Sequence, residues 1–226
     1  MSKTLLGTLT IGQAPRADIV PILEAHLPAS VSCLHAGVLD GLTRSEIATR
    51  FSPKRGEAVL TTRLLDGSSV ILGKPAVRDV LQQKLTMLEA LGCGVIVLLC
   101  TGEFSGLACE KDWLIEPDRL VPPVVAVMAG KHRIGVVVPL PEQMASEAEK
   151  FRPFALPPLF AVASPYAEGL DALASAACEL RDGGAQLVLL DCMGFTELHR
   201  EAARAACGLP VVLSNALVAR LLAELV

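Results

Sequence analysis

The hydrophobic pattern changes period many times along the chain, and each change marks an element. Leu5 to Ile11 is a short β-rich apolar run. Gly12-Gln13-Ala14-Pro15 then leads into an amphipathic segment through His26, with Pro15 suited to a first helical turn. Val31 to Val38 predicts a second strand. Thr43-Arg44-Ser45-Glu46 has the spacing of a capping box and opens a short helix. Leu60 to Leu65 and Val70 to Leu72 flank Asp66-Gly67-Ser68, a hairpin signal. Pro75 to Leu91 predicts a long helix. Gly94 to Cys100 is continuously apolar, as in a parallel strand covered on both faces. Leu120 to Ala129 predicts a helix, Ile134 to Val138 another all-apolar strand, and Pro141 to Phe151 a helix. Strands at Leu159–Ala163, Leu187–Cys192 and Val211–Leu213 alternate with helices at Glu168–Asp182, Thr196–Cys207 and Ala216–Val226. Strands alternating with helices predict an α/β protein with mainly parallel sheets flanked by helices.

The pattern also repeats. Setting Cys100 on Cys192, an offset of 92, also sets Gly92 on Gly184 and Gly102 on Gly194. The runs Val95-Ile96-Val97-Leu98-Leu99 and Leu187-Val188-Leu189-Leu190-Asp191 match in character. Upstream, Ile11-Gly12-Gln13-Ala14-Pro15 resembles Val137-Val138-Pro139-Leu140-Pro141. The expectation is two pseudo-symmetric lobes, 1–128 and 129–226, with a ligand cleft between them. The closing helix is placed to pack back on the first lobe. The first lobe carries about 34 additional positions, assigned to the Arg44–Gly73 region with its extra hairpin at about 55–73.

Composition narrows the function. The 226 residues are 52% hydrophobic with a net charge of -4, which excludes disorder. Twenty Lys+Arg face 24 Asp+Glu with no basic run, which argues against a nucleic-acid binder. Apolar stretches fall far short of the roughly 20 residues of a membrane span. Met1-Ser2-Lys3-Thr4 runs into a strand-like segment without an apolar leader, so a cytoplasmic protein is expected. Seven cysteines without a CxxC pair, and four scattered histidines without HExxH, point to neither a disulfide framework nor a metal site. No P-loop or GxGxxG is present, and no cofactor is expected.

The candidate chemistry lies at Cys100 and Cys192. Each ends an apolar strand and precedes a Thr-Gly or Met-Gly turn. Carboxyl ends of parallel strands face the ligand crevice, and the glycine lets the backbone approach a ligand closely. Across a pseudo-two-fold axis the two thiols oppose each other. One deprotonates a carbon acid as general base, and the other reprotonates it from the opposite face. The amides of Gly102 and Gly194, with Thr101, Ser214 and Asn215, are candidate donors to a developing enolate. Arg16 is the nearest basic candidate for a substrate carboxylate. Gly12, Gln13, Glu103 and Met193 complete the candidate substrate contacts. Cys33, Cys93, Cys109, Cys178 and Cys207 read as packing residues. His199 reads as a surface histidine, Trp113 as either a wall of the site or a core anchor, and Asp191 as facing away from Cys192 along the strand.

At these residues the chain resembles the aspartate/glutamate/hydantoin racemase superfamily, and within it the AroM family. The stretches that carry the resemblance are Thr10-Ile11-Gly12-Gln13-Ala14-Pro15, Leu98-Leu99-Cys100-Thr101-Gly102, Leu120-Val121-Pro122-Pro123, Gly135-Val136-Val137-Val138-Pro139, Leu190-Asp191-Cys192-Met193-Gly194-Phe195 and Leu213-Ser214-Asn215. The resemblance implies an Asp/Glu racemase-like fold, cofactor-independent isomerase chemistry at Cys100 and Cys192, a small amino-acid-like carboxylate as ligand and a possible homodimer. Racemases of this kind place Asn-Thr after the first thiol, where this chain has Thr101-Gly102. They flank the second with glycine and threonine, where this chain has Asp191 and Met193. Superfamily relatives such as maleate isomerases and arylmalonate decarboxylases use cysteine without a symmetric two-base exchange. A small-carboxylate-binding protein without catalysis is the alternative reading, and thiol redox chemistry is a weaker third.

Overall fold

A computed structural model describes residues 4–146 and 148–226. Its centre is two four-stranded parallel sheets with the same strand order. In the first sheet, β1 (Thr4–Thr10) lies between β2 (Val31–Gly37) and β5 (Val95–Leu99), with β6 (Trp113–Ile115) outside β5. In the second, β7 (Ile134–Val138) lies between β8 (Leu159–Val162) and β9 (Leu187–Leu190), with β10 (Val211–Leu213) outside β9. Strands β5, β7 and most of β1 are buried along their length, because helices cover both faces. The repeat read from the sequence is therefore a repeat of topology. Gly92 and Gly184 mark it locally: each turns a helix into a strand at φ +86 and +94, where a Cβ would be strained.

Among the described residues there are eight α-helices: α1 (Val20–His26), α2 (Arg44–Phe51), α3 (Lys74–Ala90), α4 (Pro117–Ala129), α5 (Gln143–Ser146), α6 (Asp171–Asp182), α7 (Glu197–Cys207) and α8 (Ser214–Leu222). Helix α2 starts at the capping box expected of it, with the Thr43 amide donating to Glu46 Oε2 at 2.8 Å and the Glu46 amide to Thr43 Oγ1 at 3.3 Å. Helix α3 buries Val77, Leu81, Leu85 and Leu88, one stripe at helical spacing. Three apolar clusters result. One belongs to the first sheet with α2 and α3, and one to the second with α6 and α7. The third joins β1 and β5 to β7 and β9 through α1, α4 and α8 (Leu6, Leu23, Val97, Val125, Val136, Leu189, Val218), so both sheets share one core. Helix α8 packs on α1 and α4.

Several expectations are corrected. Pro15 does not start a helix. It follows a cis peptide bond from Ala14, and α1 begins five residues later with Pro21 in its first turn. The segment expected as one helix to Phe151 is a single turn, α5, and a 3₁₀ turn at Ala148–Phe151; Glu147 between them lies outside the described residues, as do Met1, Ser2 and Lys3. Strand β6 arose where a loop was expected, because three residues are too few for a periodicity signal. Trp113 on it is 65% exposed and is neither a wall of the site nor a core anchor.

The hairpin of β3 (Val59–Arg63) and β4 (Ser69–Gly73) is antiparallel and has no counterpart in the second half. It docks over the turn after β1. A Cβ on Gly12 would lie 2.4 Å from Thr62 Oγ1 and 2.6 Å from the Arg63 carbonyl oxygen. Gly12→Ala is therefore expected to lift the hairpin and cost about 1–3 kcal/mol, read as a lower midpoint in denaturant unfolding. Gly94→Ala, with open space at its Cβ, is the control.

Candidate active site

The strand ends of β5 and β9 bring the two predicted cysteines to one cavity between the sheets. Cys100 and Cys192 both line it, with Ile11, Arg16, Leu60, Thr61, Gln143, Tyr166 and Met193 among the other walls. The thiols are 8% and 9% exposed, and the cavity is closed to about 20 Å³. The local geometry is duplicated. The Gly102 amide donates to Cys100 Sγ at 3.4 Å, and the Gly194 amide donates to Cys192 Sγ at 3.5 Å. A strand that ends in Cys and turns two residues later at Gly folds its own N–H back onto the sulfur. Such a donor favours the thiolate over the thiol.

Beyond that pair of contacts the two sides diverge. Burial pushes the Cys192 thiol up to about 11, with Asp191 adding to the shift against the Gly194 amide, Arg16 and the Tyr166 hydroxyl. At neutral pH Cys192 therefore holds its proton. Tyr166, in the turn after β8, was not legible from the sequence. Its hydroxyl accepts from Arg16 Nη2 at 2.9 Å and stands on the same cavity as Cys192, where it favours the thiolate. Burial, reinforced by Cys192, holds its own pKa well above the usual phenol range. A Cβ on Gly194 would fall 2.4 Å from that hydroxyl, so the glycine is what lets Tyr166 reach the sulfur.

Arg16 lines the cavity but has no idle donor. Nε and Nη2 hold both oxygens of Asp18 at 2.9 and 2.7 Å, Nη1 reaches Thr10 and Thr62 hydroxyls at 3.3 and 3.1 Å, and Nη2 also reaches Tyr166. These are all five N–H groups of a guanidinium. Burial opposes its charge, but Tyr166 and Asp18 outweigh that and raise its pKa. Carboxylate capture by Arg16 would require it to release one of these partners.

Of the other predicted site residues, Thr101, Gly102, Met193 and Gly194 line the cavity. Ser214 and Asn215 are fully buried and make no cavity contact. Ser214 donates to the Leu190 carbonyl at 2.8 Å; Asn215 Nδ2 donates to the Met193 and Phe195 carbonyls at 2.8 and 2.6 Å. They shape the turn that carries Cys192. Gly12 and Gln13 lie behind the cavity. Gln13 Nε2 donates to the Leu39 and Leu42 carbonyls at 3.4 and 3.2 Å, and its Oε1 accepts from the Leu65 amide at 2.9 Å. His199 is half-buried rather than a surface residue. Its Nδ1 accepts the Thr196 amide at 2.9 Å and caps α7, and burial lowers its pKa. Asp191 is not among the residues that line the cavity; it is 3% exposed and paired with Lys150 at 2.5 Å.

Glu103 sits outside the thiol cavity, on a neighbouring open groove of about 620 Å³ that contains neither cysteine. Asp118, at the start of α4, lines the same groove. Burial, with Glu116 adding, pushes its carboxyl up to about 7. Among the described residues no group of three or more His, Cys, Asp or Glu could hold a metal ion, and no helix is long and apolar enough to cross a membrane.

Two parallel sheets of matching order, with a cavity where their strand ends meet, form an α/β fold that the chain shares with solved racemases. Allantoin racemase from Klebsiella pneumoniae is similar over 98% of this chain and 86% of its own, at 13% identity and TM-score 0.67. Glutamate racemase from Francisella tularensis, solved with D-glutamate, is similar over 100% of this chain and 81% of its own, at 12% identity and TM-score 0.64. Unliganded arylmalonate decarboxylase covers 98% and 90%, at 14% identity and TM-score 0.58. The chain belongs to the AroM family, whose model (AroM protein) matches residues 6–226. Comparison with curated proteins gives no match.

The Asp118 carboxyl makes a prediction for stability. A carboxyl raised in the folded state, from an ordinary 3.8 to about 7, holds its full contribution below about pH 4 and loses it as pH rises through 7. Asp118→Asn should therefore stabilise the protein by up to about 4 kcal/mol at pH 8 and by only about 1 kcal/mol at pH 4.5. Thermal melts at the two pH values test this; equal gains at both would refute the shift.

Proposed function

We propose that the protein is a cofactor-independent isomerase, a racemase or epimerase, that moves a proton at a carbon next to the carboxylate of a small amino-acid-like substrate. The observation that carries this reading is the pair of thiols on one cavity, each accepting the amide two residues further on. In the forward direction Cys100, as thiolate, takes the Cα proton. The electron pair of the broken C–H bond moves into the carboxylate as an enediolate. Cys192, whose proton is held at neutral pH, donates it to the opposite face. Cys100 is left as the thiol and Cys192 as the thiolate, and the return turnover uses them in reverse. Tyr166, on the same cavity as Cys192, favours the new thiolate, while Arg16 polarises the phenol through its 2.9 Å bond. Fixed donors of this kind are the main source of stabilisation for a developing charge.

The closed cavity of about 20 Å³ has room for about one water. A carboxylate substrate needs the wall formed by Leu60 and Thr61 to open. Because both residues belong to the hairpin, whose edge is not shared with either main sheet, the hairpin is the element that can yield. The alternative is a binding protein without turnover. Met193 favours that reading, since it lines the cavity and offers no hydrogen-bond donor to a carboxylate.

The test is hydrogen exchange at Cα in deuterated water across a panel of small 2-amino and 2-hydroxy carboxylates. The active compound should lose exchange by at least about 1,000-fold in Cys100→Ser and in Cys192→Ser, since each removes one half of the proton transfer. Tyr166→Phe should slow it by about 10- to 100-fold. A panel compound that raises the melting temperature without any exchange would establish binding alone.

A further inference from the structure

We propose that Lys150 is a positioning residue that ties the two thiol-bearing strand ends to each other and neutralises Asp191 beside Cys192. Its ammonium lies 2.8 Å from the Thr101 carbonyl oxygen, one residue past Cys100, and 2.5 Å from Asp191 Oδ2, one residue before Cys192. Thr101 Oγ1 closes the link by donating to the Asp191 carbonyl at 3.1 Å. A single side chain from outside both strands thus reaches the residues adjoining both sulfurs. The pair is 6% and 3% exposed. The 3₁₀ turn that carries it is anchored by Phe151, which is buried against Phe154 and Phe160 with ring centroids 5.2 and 5.9 Å apart.

The repeat explains why this contact calls for a role. The register that sets Cys100 on Cys192 sets Leu99 on Asp191, so the fold closes a strand end equally well with an apolar residue there. A buried ion pair adds little net stability over apolar residues of the same size. What it adds here is a fixed separation between two loops and a balanced charge next to one thiol. On the other side of Lys150 stands Asp118, across the groove; on the far side of Cys192 stand Arg16 and Tyr166. Removing the lysine takes a positive charge away from the surroundings of Cys192, and removing the carboxylate takes away a negative one. The two losses act on the sulfur in opposite senses.

This inference rests on the two-thiol reading, but its test requires no substrate. Alkylation by iodoacetamide at pH 8.5, resolved cysteine by cysteine by mass spectrometry, reads the thiolate fraction of Cys192. Lys150→Met should slow Cys192 by about tenfold and Asp191→Asn should speed it by about tenfold, the effect of a shift of about one pH unit. Lys150→Arg should stay within about threefold of the parent. The double variant Lys150→Met/Asp191→Leu should fold and return Cys192 to near the parent rate. If both single variants speed alkylation, as general loosening would make them do, the proposal is overturned. If either single variant fails to fold, the double variant decides, and a Cys192 rate more than tenfold from the parent refutes the charge balance. Should the opposite shifts appear while no carboxylate shows Cα exchange, the latch stands and the isomerase reading falls.

Discussion

A buried guanidinium holds the two halves of this molecule in one geometry. Arg16 comes from the turn after β1, and its five donors reach Thr10 in that strand, Asp18 ahead of α1, Thr62 in the hairpin and Tyr166 from the second half. A charge so deeply placed is tolerable only when every N–H has an acceptor and a carboxylate balances it. That requirement fixes several elements at once. The hairpin must dock where Thr62 meets Nη1, and Tyr166 must stand where its hydroxyl meets Nη2. The phenol in turn meets Cys192. The planar fork of arginine suits this role, since one side chain addresses several acceptors in fixed directions.

The site combines symmetry of backbone with asymmetry of side chains. Duplicated strand order and duplicated glycine amides bring two sulfurs to one cavity in equivalent settings. Around that frame, Asp191 replaces the apolar residue found at Leu99, and the hairpin covers one side only. A proton carried from one face of a planar carbon to the other needs two groups of the same kind. It also needs them in different protonation states at any one moment. An asymmetric shell around symmetric thiols is a physical means of meeting both needs.

Polar residues read from the sequence as touching a ligand instead support the turns that present the cavity. Ser214, Asn215 and Gln13 each bond to backbone groups at these strand ends and turns, and His199 caps α7 in the same way. Buried amides and carbonyls must be paired, and loops at the ends of parallel strands leave many of them. Proximity in the chain to a reactive residue is therefore a poor guide to contact with its substrate. The same need for partners bears on Lys150, whose partners Asp191 and Thr101 are 41 and 49 positions away in the chain.

Local patterns in the sequence determined the alternation of strands and helices, the capping box at Thr43, the hairpin around Asp66-Gly67 and the repeat that pairs Cys100 with Cys192. Each depends on periodicity or on residues only a few positions apart. The start of α1, the short strand carrying Trp113 and the broken helix before Phe151 escaped, because packing rather than propensity decides such short segments. Tertiary structure alone decided that Tyr166 reaches Cys192, that Lys150 meets Asp191 and that Arg16 is already fully bonded. The longest of those contacts join residues 41, 46 and 150 positions apart, and a linear chain holds no local record of which distant polar groups burial will force together.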